Sequence, residues 1–239
     1  MDEERDREKK QASERAVDFI KTGMIVGLGH GSTVHYAILR ISHLLREGKL
    51  ENILYVPCSD NVGETALRLG IPLTTLDEHP ALDVTIDGAD EVDPGLNLIK
   101  GRGGALLREK IAAQASLREI IVVDSSKLSP VLGTNSPIPV EVVPYGWRSQ
   151  AAFLESIGGH PEILYTGNGI QFRTDQGNMI LNCRFGPIVH PQRLAERLNS
   201  RAGIAGHGLF LGLATDVIVG AGQEIKHLRS AATTSKADA

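Results

Sequence analysis

Four short segments hold most of the residues able to do chemistry, and three of them mix glycine with charges or hydroxyls. Asp87-Gly88-Ala89-Asp90-Glu91-Val92-Asp93 places four carboxylates within seven residues, directly behind the apolar run Leu82 to Ile86. Like charges at that density repel one another. The segment therefore suits a hydroxyl-rich ligand, a divalent metal, or an acidic surface loop ending at Asp93-Pro94. No histidine stands at ligand spacing from these acids, which weighs against the metal. Lys100-Gly101-Arg102-Gly103-Gly104-Ala105 runs into a helical pattern bearing Glu109, either a catalytic base or an ordinary helical carboxylate. Gly27-Leu28-Gly29-His30-Gly31-Ser32-Thr33 follows an apolar run and opens another helical pattern. The amides of such a turn, with a helix start behind them, suit a phosphate, and Ser32 and Thr33 add hydroxyl donors. A dinucleotide fingerprint, G-x-G-x-x-G, is the rival, but its sixth position is Ser32. The next apolar run also ends in Pro57-Cys58-Ser59, where a ribose-binding acid is expected. A plain tight turn is the third reading. Asp124-Ser125-Ser126-Lys127 completes the set, with Lys127 just beyond the strongest apolar run.

The elements that must position these segments alternate. Ala12, Ala16, Phe19 and Ile20 recur at helical spacing, and Met24 to Gly27 reads as a buried strand. Ser32 to Arg46 reads as a helix, Asn52 to Val56 as a strand, and Glu64 to Leu69 as part of the next helix. Leu82 to Ile86 reads as a strand, Leu106 to Ala115 as a helix, and Ile120 to Val123 as a strand. Strand–helix alternation of this kind predicts a mainly parallel sheet with crossover helices. All four segments then fall at one edge of the sheet, the carboxyl ends of the strands, where ligands bind in α/β folds.

The pattern changes near Pro130. A proline-punctuated strand, a helix from Trp147 to Ile157, a hairpin and a helix from Pro191 to Asn199 predict a small α+β unit. The hairpin pairs Gly169 to Arg173 with Asn178 to Cys183 around Asp175-Gln176-Gly177. Leu209 to Gly220 returns to buried-strand character. The expected division is 1–135 plus 207–229 as the larger domain, 136–206 as the inserted one, and 230–239 as a frayed tail.

Bulk properties narrow the class. The net charge of -4, with dispersed Lys and Arg, argues against a nucleic-acid surface. Cys58 and Cys183 form no C-x-x-C pair, which excludes a disulfide framework and a zinc finger. The charged stretch from Met1 to Lys10 has no apolar run behind it, and no segment approaches a membrane span. A soluble, cytoplasmic protein without membrane or nucleic-acid partners is expected.

These residues resemble a known family. Gly27 to Thr33, Asp87 to Glu91, Lys100 to Ala105 with Arg108-Glu109-Lys110, and Asp124 to Lys127 are similar, in order and spacing, to the signature segments of A-type ribose-5-phosphate isomerases. The resemblance continues through Pro139 to Val142, Trp147-Arg148, Gly158-Gly159, Asp175 to Asn178 and Gly206 to Phe210. It implies a Rossmann-like domain, mainly parallel, with an inserted ferredoxin-like α+β domain. It further implies a homodimer or homotetramer and no metal or other cofactor. The implied activity is the interconversion of ribose 5-phosphate and ribulose 5-phosphate. By the same resemblance Glu109 is the proton-transferring base. Asp87, Asp90 and Lys100 open the ring and hold the hydroxyls and the oxyanion, while Ser32, Thr33 and Lys127 contact substrate and phosphate. His30, Gly31, Gly88, Ala89, Gly101, Arg102 and Gly103 complete the implied substrate-binding loops. His30 stands where many members have Thr, and Arg102 where many have Gly. Amino-sugar phosphate deaminases, CoA transferases and a non-catalytic sugar-phosphate sensor are competing readings of the same architecture.

Overall fold

The computed structural model describes residues 2–230; the expected frayed tail lies outside them, apart from Ser230. In chain order the elements are α1 (Asp2–Val17), β1 (Ile25–Leu28), α2 (Ser32–Arg46), β2 (Leu54–Pro57), α3 (Asp60–Arg68), β3 (Val84–Gly88), β4 (Glu91–Val92) and β5 (Leu98–Ile99). They continue with α4 (Leu106–Ala115), β6 (Glu119–Asp124), β7 (Ile138–Val142), α5 (Trp147–Ser156), β8 (His160–Ile163) and β9 (Met179–Arg184). The last are α6 (Pro191–Asn199), β10 (Ile204–His207), β11 (Leu209–Phe210), β12 (Asp216–Ala221) and β13 (Glu224–Arg229).

The chain divides into two compact units, one of residues 1–89, 108–127 and 212–239, the other of 90–107 and 128–211. The first is built on a six-stranded sheet in the order β13-β12-β6-β3-β1-β2. Every pairing in it is parallel except that of β12 with β13. All six residues of β6 are buried, as a strand covered on both faces requires. α2 buries Val34, Ala37, Ile38 and Ile41, a 3.6-residue stripe, in one core with Ala12 and Ala16 of α1 and Val26 and Leu28 of β1. Ala112 of α4 joins a separate cluster with Val56 and Leu82. The strand order carries one consequence for function. From β1 the chain crosses to β2 on one side and then returns to place β3 on the other. The carboxyl ends of β1 and β3 therefore diverge at a topological switch point, the usual ligand crevice of an open α/β sheet.

The second unit contains β7-α5-β8-β9-α6-β10, an antiparallel sheet ordered β10-β7-β9-β8 with two helices, the ferredoxin-like arrangement. Val140, Val142, Leu154, Leu181 and Leu198 lie in its core. A three-stranded ribbon, β11-β5-β4, belongs to the same unit.

Two expectations need correction. The predicted hairpin is replaced by pairing of β9 with β8. Residues 164–172 instead fold on themselves, with Phe172 donating to the Leu164 carbonyl and Thr166 to that of Ile170. The turn at Asp175-Gln176-Gly177 is present, closed by the Thr174 amide on the Asn178 carbonyl at 3.0 Å. Second, residues 90–107, 128–135 and 207–211 group with the second unit rather than the first. The ribbon strands β4, β5 and β11 stay together by pairing, and Ile99 and Leu209 lie in the second unit's core.

The amino ends of β6 and β12 are clamped by Asp216, which is fully buried. Arg118 donates to both of its oxygens at 2.7 Å, Thr215 donates at 2.7 Å, and the His227 ring lies at 2.6 Å. Burial opposes its charge, but these contacts outweigh burial and hold the carboxyl at about 2, against 3.8 in water. A folded value below the unfolded one gives stability that is present above pH 4 and lost as pH falls through 2. That loss amounts to about 2 kcal/mol by linkage. Chemical denaturation across pH 2–7 is expected to show this acid limb in the parent protein. In Asp216→Asn the limb should be reduced by that amount, on a lower baseline at neutral pH.

Candidate functional site

In the first unit the site grows from the end of β1. Gly29 donates its amide to the Ile86 carbonyl at 2.9 Å, drawing the turn against β3. A Cβ at Gly29 would overlap the carboxyl group of Asp87, so only glycine permits this approach. Asp87 is itself fully buried, and its Oδ1 accepts from the amides of His30 at 3.2 Å and Gly88 at 2.7 Å. The two amides fix the orientation of the carboxylate. The His30 ring Nδ1 lies 2.9 Å from the hydroxyl of Ser59, which caps α3 by accepting from the Val62 amide at 3.2 Å. Ser59 follows β2, so three strand ends meet here through single hydrogen bonds.

The start of α2 lies open to an anion. Gly31 at its N-cap offers no side-chain cap, and no acidic residue occupies the first turn. Ser32 is exposed and Thr33 half-buried. Such a helix end presents amides and the positive pole of the helix dipole. Lys127, half-buried, ends the short 3-10 turn Ser125–Lys127 beyond β6. That turn is held by the buried Asp124, which accepts from the Ser126 amide at 3.0 Å and from the Ser126 hydroxyl.

Glu109 stands in the first turn of α4 and is 3 % exposed, contrary to the usual fate of a helical glutamate. Its neighbour Arg108 bridges to Asp60 of α3 at 2.6 Å, tying the two helices together. Burial pushes the half-buried Lys110 down to about 8.

The second unit carries the remaining predicted residues. Asp90 donates its amide to Ile99 at 2.8 Å, and its carboxylate accepts from the Arg102 amide at 3.0 Å. Lys100, 2 % exposed, follows β5; its amide donates to Gly208 at 2.9 Å and its ammonium lies 5.4 Å from the Phe210 ring centroid. Gly101 and Gly104 close a turn through an amide–carbonyl bond of 2.9 Å. Gly104, at φ +81°, lies where a Cβ would overlap the Phe172 ring. Gly103 and Arg102 are exposed.

The acidic run therefore separates into different roles. Glu91, fully buried, accepts from the amides of Gly133, Thr134, Asn135 and Ser136 at 2.9–3.3 Å. Asp93 accepts from the Asn97 amide at 2.9 Å and shapes the turn between β4 and β5. Asp87 lies at the carboxyl end of β3 and Asp90 just ahead of β4. Ser59 went unrecognised in the sequence, although a serine just before a helical pattern is an N-cap signal. Among the described residues no three His, Cys, Asp or Glu side chains gather as a metal site, and no helix is long and apolar enough to cross a membrane.

Comparison with known proteins gives these residues a context. The family model for ribose 5-phosphate isomerase A (phosphoriboisomerase A) matches residues 54–224. The chain belongs to this family. It is 53% identical to ribose-5-phosphate isomerase A of Chloroflexus aurantiacus over 220 residues, 92% of each chain. The solved ribose 5-phosphate isomerase of Plasmodium falciparum superposes with a TM-score of 0.92 at 38% identity, covering 95% of this chain and 99% of that one. A D-ribose-5-phosphate isomerase solved in complex with phospho-erythronic acid gives a TM-score of 0.92 at 38% identity, covering 94% and 99%.

The different environments of the acids set up a direct comparison. Glu91→Gln, which places an amide nitrogen against backbone N–H groups, should lower unfolding free energy by about 2–3 kcal/mol, since hydrogen bonds to a buried charge carry that much. Asp90→Asn, which loses one bond at a half-buried site, should cost no more than about 1 kcal/mol. Urea unfolding of both variants checks the order; equal losses would place Glu91 among the ligand-facing acids.

Proposed function

We propose that this protein interconverts D-ribose 5-phosphate and D-ribulose 5-phosphate through an enediolate, as a step of the non-oxidative pentose phosphate pathway. The observation that carries the reading is the likeness over nearly the full length to an isomerase solved with phospho-erythronic acid. That ligand has a carboxylate at one end and a phosphate at the other. Its two charged, coplanar oxygens match those of an enediolate.

In the proposed scheme the phosphate rests on the start of α2, at Gly31, Ser32 and Thr33, with Lys127 adding a cation. His30 and the backbone of Gly88, Ala89, Gly101 and Gly103 line the sugar, and Arg102 adds a second cation. Asp87, oriented by its two amides, exchanges a proton with the ring oxygen and anomeric hydroxyl to open the furanose. Glu109 then takes the proton from C2 of the aldose and returns it to C1, while a hydroxyl proton passes from O2 to O1. Lys100 and Asp90 hold the oxygens, the buried ammonium offsetting the charge that develops on them. The scheme needs no metal or other cofactor. A homodimer or homotetramer in the cytoplasm completes the reading.

A coupled assay for ribulose 5-phosphate tests it. Turnover of ribose 5-phosphate should survive exhaustive chelation, and free ribose should be a far poorer substrate, because the phosphate supplies the positioning. Equal turnover of free ribose, or loss with EDTA restored by one divalent ion, would overturn the reading.

A further inference from the structure

We infer that helix α1 sets the spacing between the two halves of the phosphate site, with Glu8 and Ser13 acting as positioning residues for Lys127 and Thr33. The inference rests on the phosphate reading of Ser32, Thr33 and Lys127 above. α1 packs along α2, β6 and β12 within the first unit and lies outside all four of the segments singled out in the sequence.

Glu8 is 5 % exposed, an uncommon position for a helical carboxylate. Its Oε2 accepts from the Ser125 amide at 3.2 Å and the Ser125 hydroxyl at 3.0 Å, and its Oε1 accepts from the Gly222 amide at 2.6 Å. Burial and the nearby Asp124 oppose its charge, yet the Gly222 and Ser125 bonds outweigh them and hold its carboxyl below the usual range. Ser125 opens the turn that ends at Lys127. With Asp124 holding Ser126, the turn is fixed at both residues ahead of the lysine. One and a half helical turns further along α1, the fully buried Ser13 donates to the Thr33 carbonyl at 2.7 Å. One rigid helix thus grips the loop behind β6 and the first turn of α2, at points about 7.5 Å apart along its axis.

Packing alone does not call for this arrangement. An apolar side chain at position 8 would seal the same interface without the cost of burying a carboxylate. What the carboxylate adds is direction, because each oxygen is committed to the backbone of a different strand-end loop.

The test is steady-state kinetics with ribose 5-phosphate, with inorganic phosphate as competitor. Lys127→Ala comes first: if it leaves KM unchanged, the phosphate reading itself fails, and this inference with it. Given a raised KM there, Glu8→Gln is the informative variant. It keeps size but turns an NH2 group toward the amide of Gly222 or Ser125, releasing one loop. KM and the phosphate inhibition constant should rise together by roughly tenfold with kcat within about twofold, as expected for lost positioning of a remote group. Ser13→Ala should move both constants in the same direction. The double variant Glu8→Gln/Lys127→Ala should show a KM no higher than Lys127→Ala alone. Should Glu8→Gln fail to fold, Ser125→Ala, which removes one of the donors on Oε2, takes its place with the same expected split. A lower melting temperature with unchanged KM, or fully additive effects in the double variant, would overturn the inference and leave Glu8 a structural residue.

Discussion

The close approach of the β1 turn to β3 is the constraint on which the strand-end residues of the first unit depend. Gly29 has no side chain, and the Asp87 carboxyl group occupies the space a Cβ would take. Because the backbone comes so near, the His30 amide reaches Asp87 and joins that of Gly88 on the same oxygen. The carboxylate is thereby held in one orientation inside a fully buried setting, where an unheld charge would be costly. The same approach aims the chain so that Gly31 ends at the open amino terminus of α2. The acid proposed for ring opening and the helix end proposed for phosphate thus follow from one contact at the switch point of the sheet.

Charge burial recurs through the molecule in different surroundings. Glu91 and Asp216 are saturated by donors that lock loops or strand ends, so their charges are absorbed in the fold. Lys100 is buried beside an aromatic ring, on the ribbon in the second unit. Glu109 is buried in the first turn of a helix, where exposed carboxylates are the rule. A base meant to remove a proton from carbon gains from such seclusion, since little water is present to screen the developing charge.

Much of this was legible in the sequence. α2, α4 and α6 start and stop where apolar spacing and Pro191 put them, because those signals are local. The parallel sheet followed from continuous apolar runs. What stayed hidden was set by distant partners. β4, β5 and β11 are two-residue strands, too short to show a period, and they exist through pairing. With their ribbon, residues 90–107 group with the second unit. The donors to Glu91 lie 42–45 positions further along the chain, so its role could not be separated from those of Asp87 and Asp90 by inspecting the acidic run. The hairpin failed for a similar reason: alternation at Gly169 to Arg173 resembles a strand, but Thr166 closes a local turn first.

The measurement closest to the centre of this account is the fate of the C2 hydrogen in deuterated water, taken together with the rate of Glu109→Gln. If Glu109 shuttles the proton, the parent enzyme places solvent deuterium on C1 of ribulose 5-phosphate. The Gln variant, which keeps shape but removes the base, loses at least ~10²-fold in kcat. Its inhibition by inorganic phosphate stays as in the parent. A Glu109→Gln enzyme that folds normally and retains near-parental kcat would contradict the account and move the base to another carboxylate.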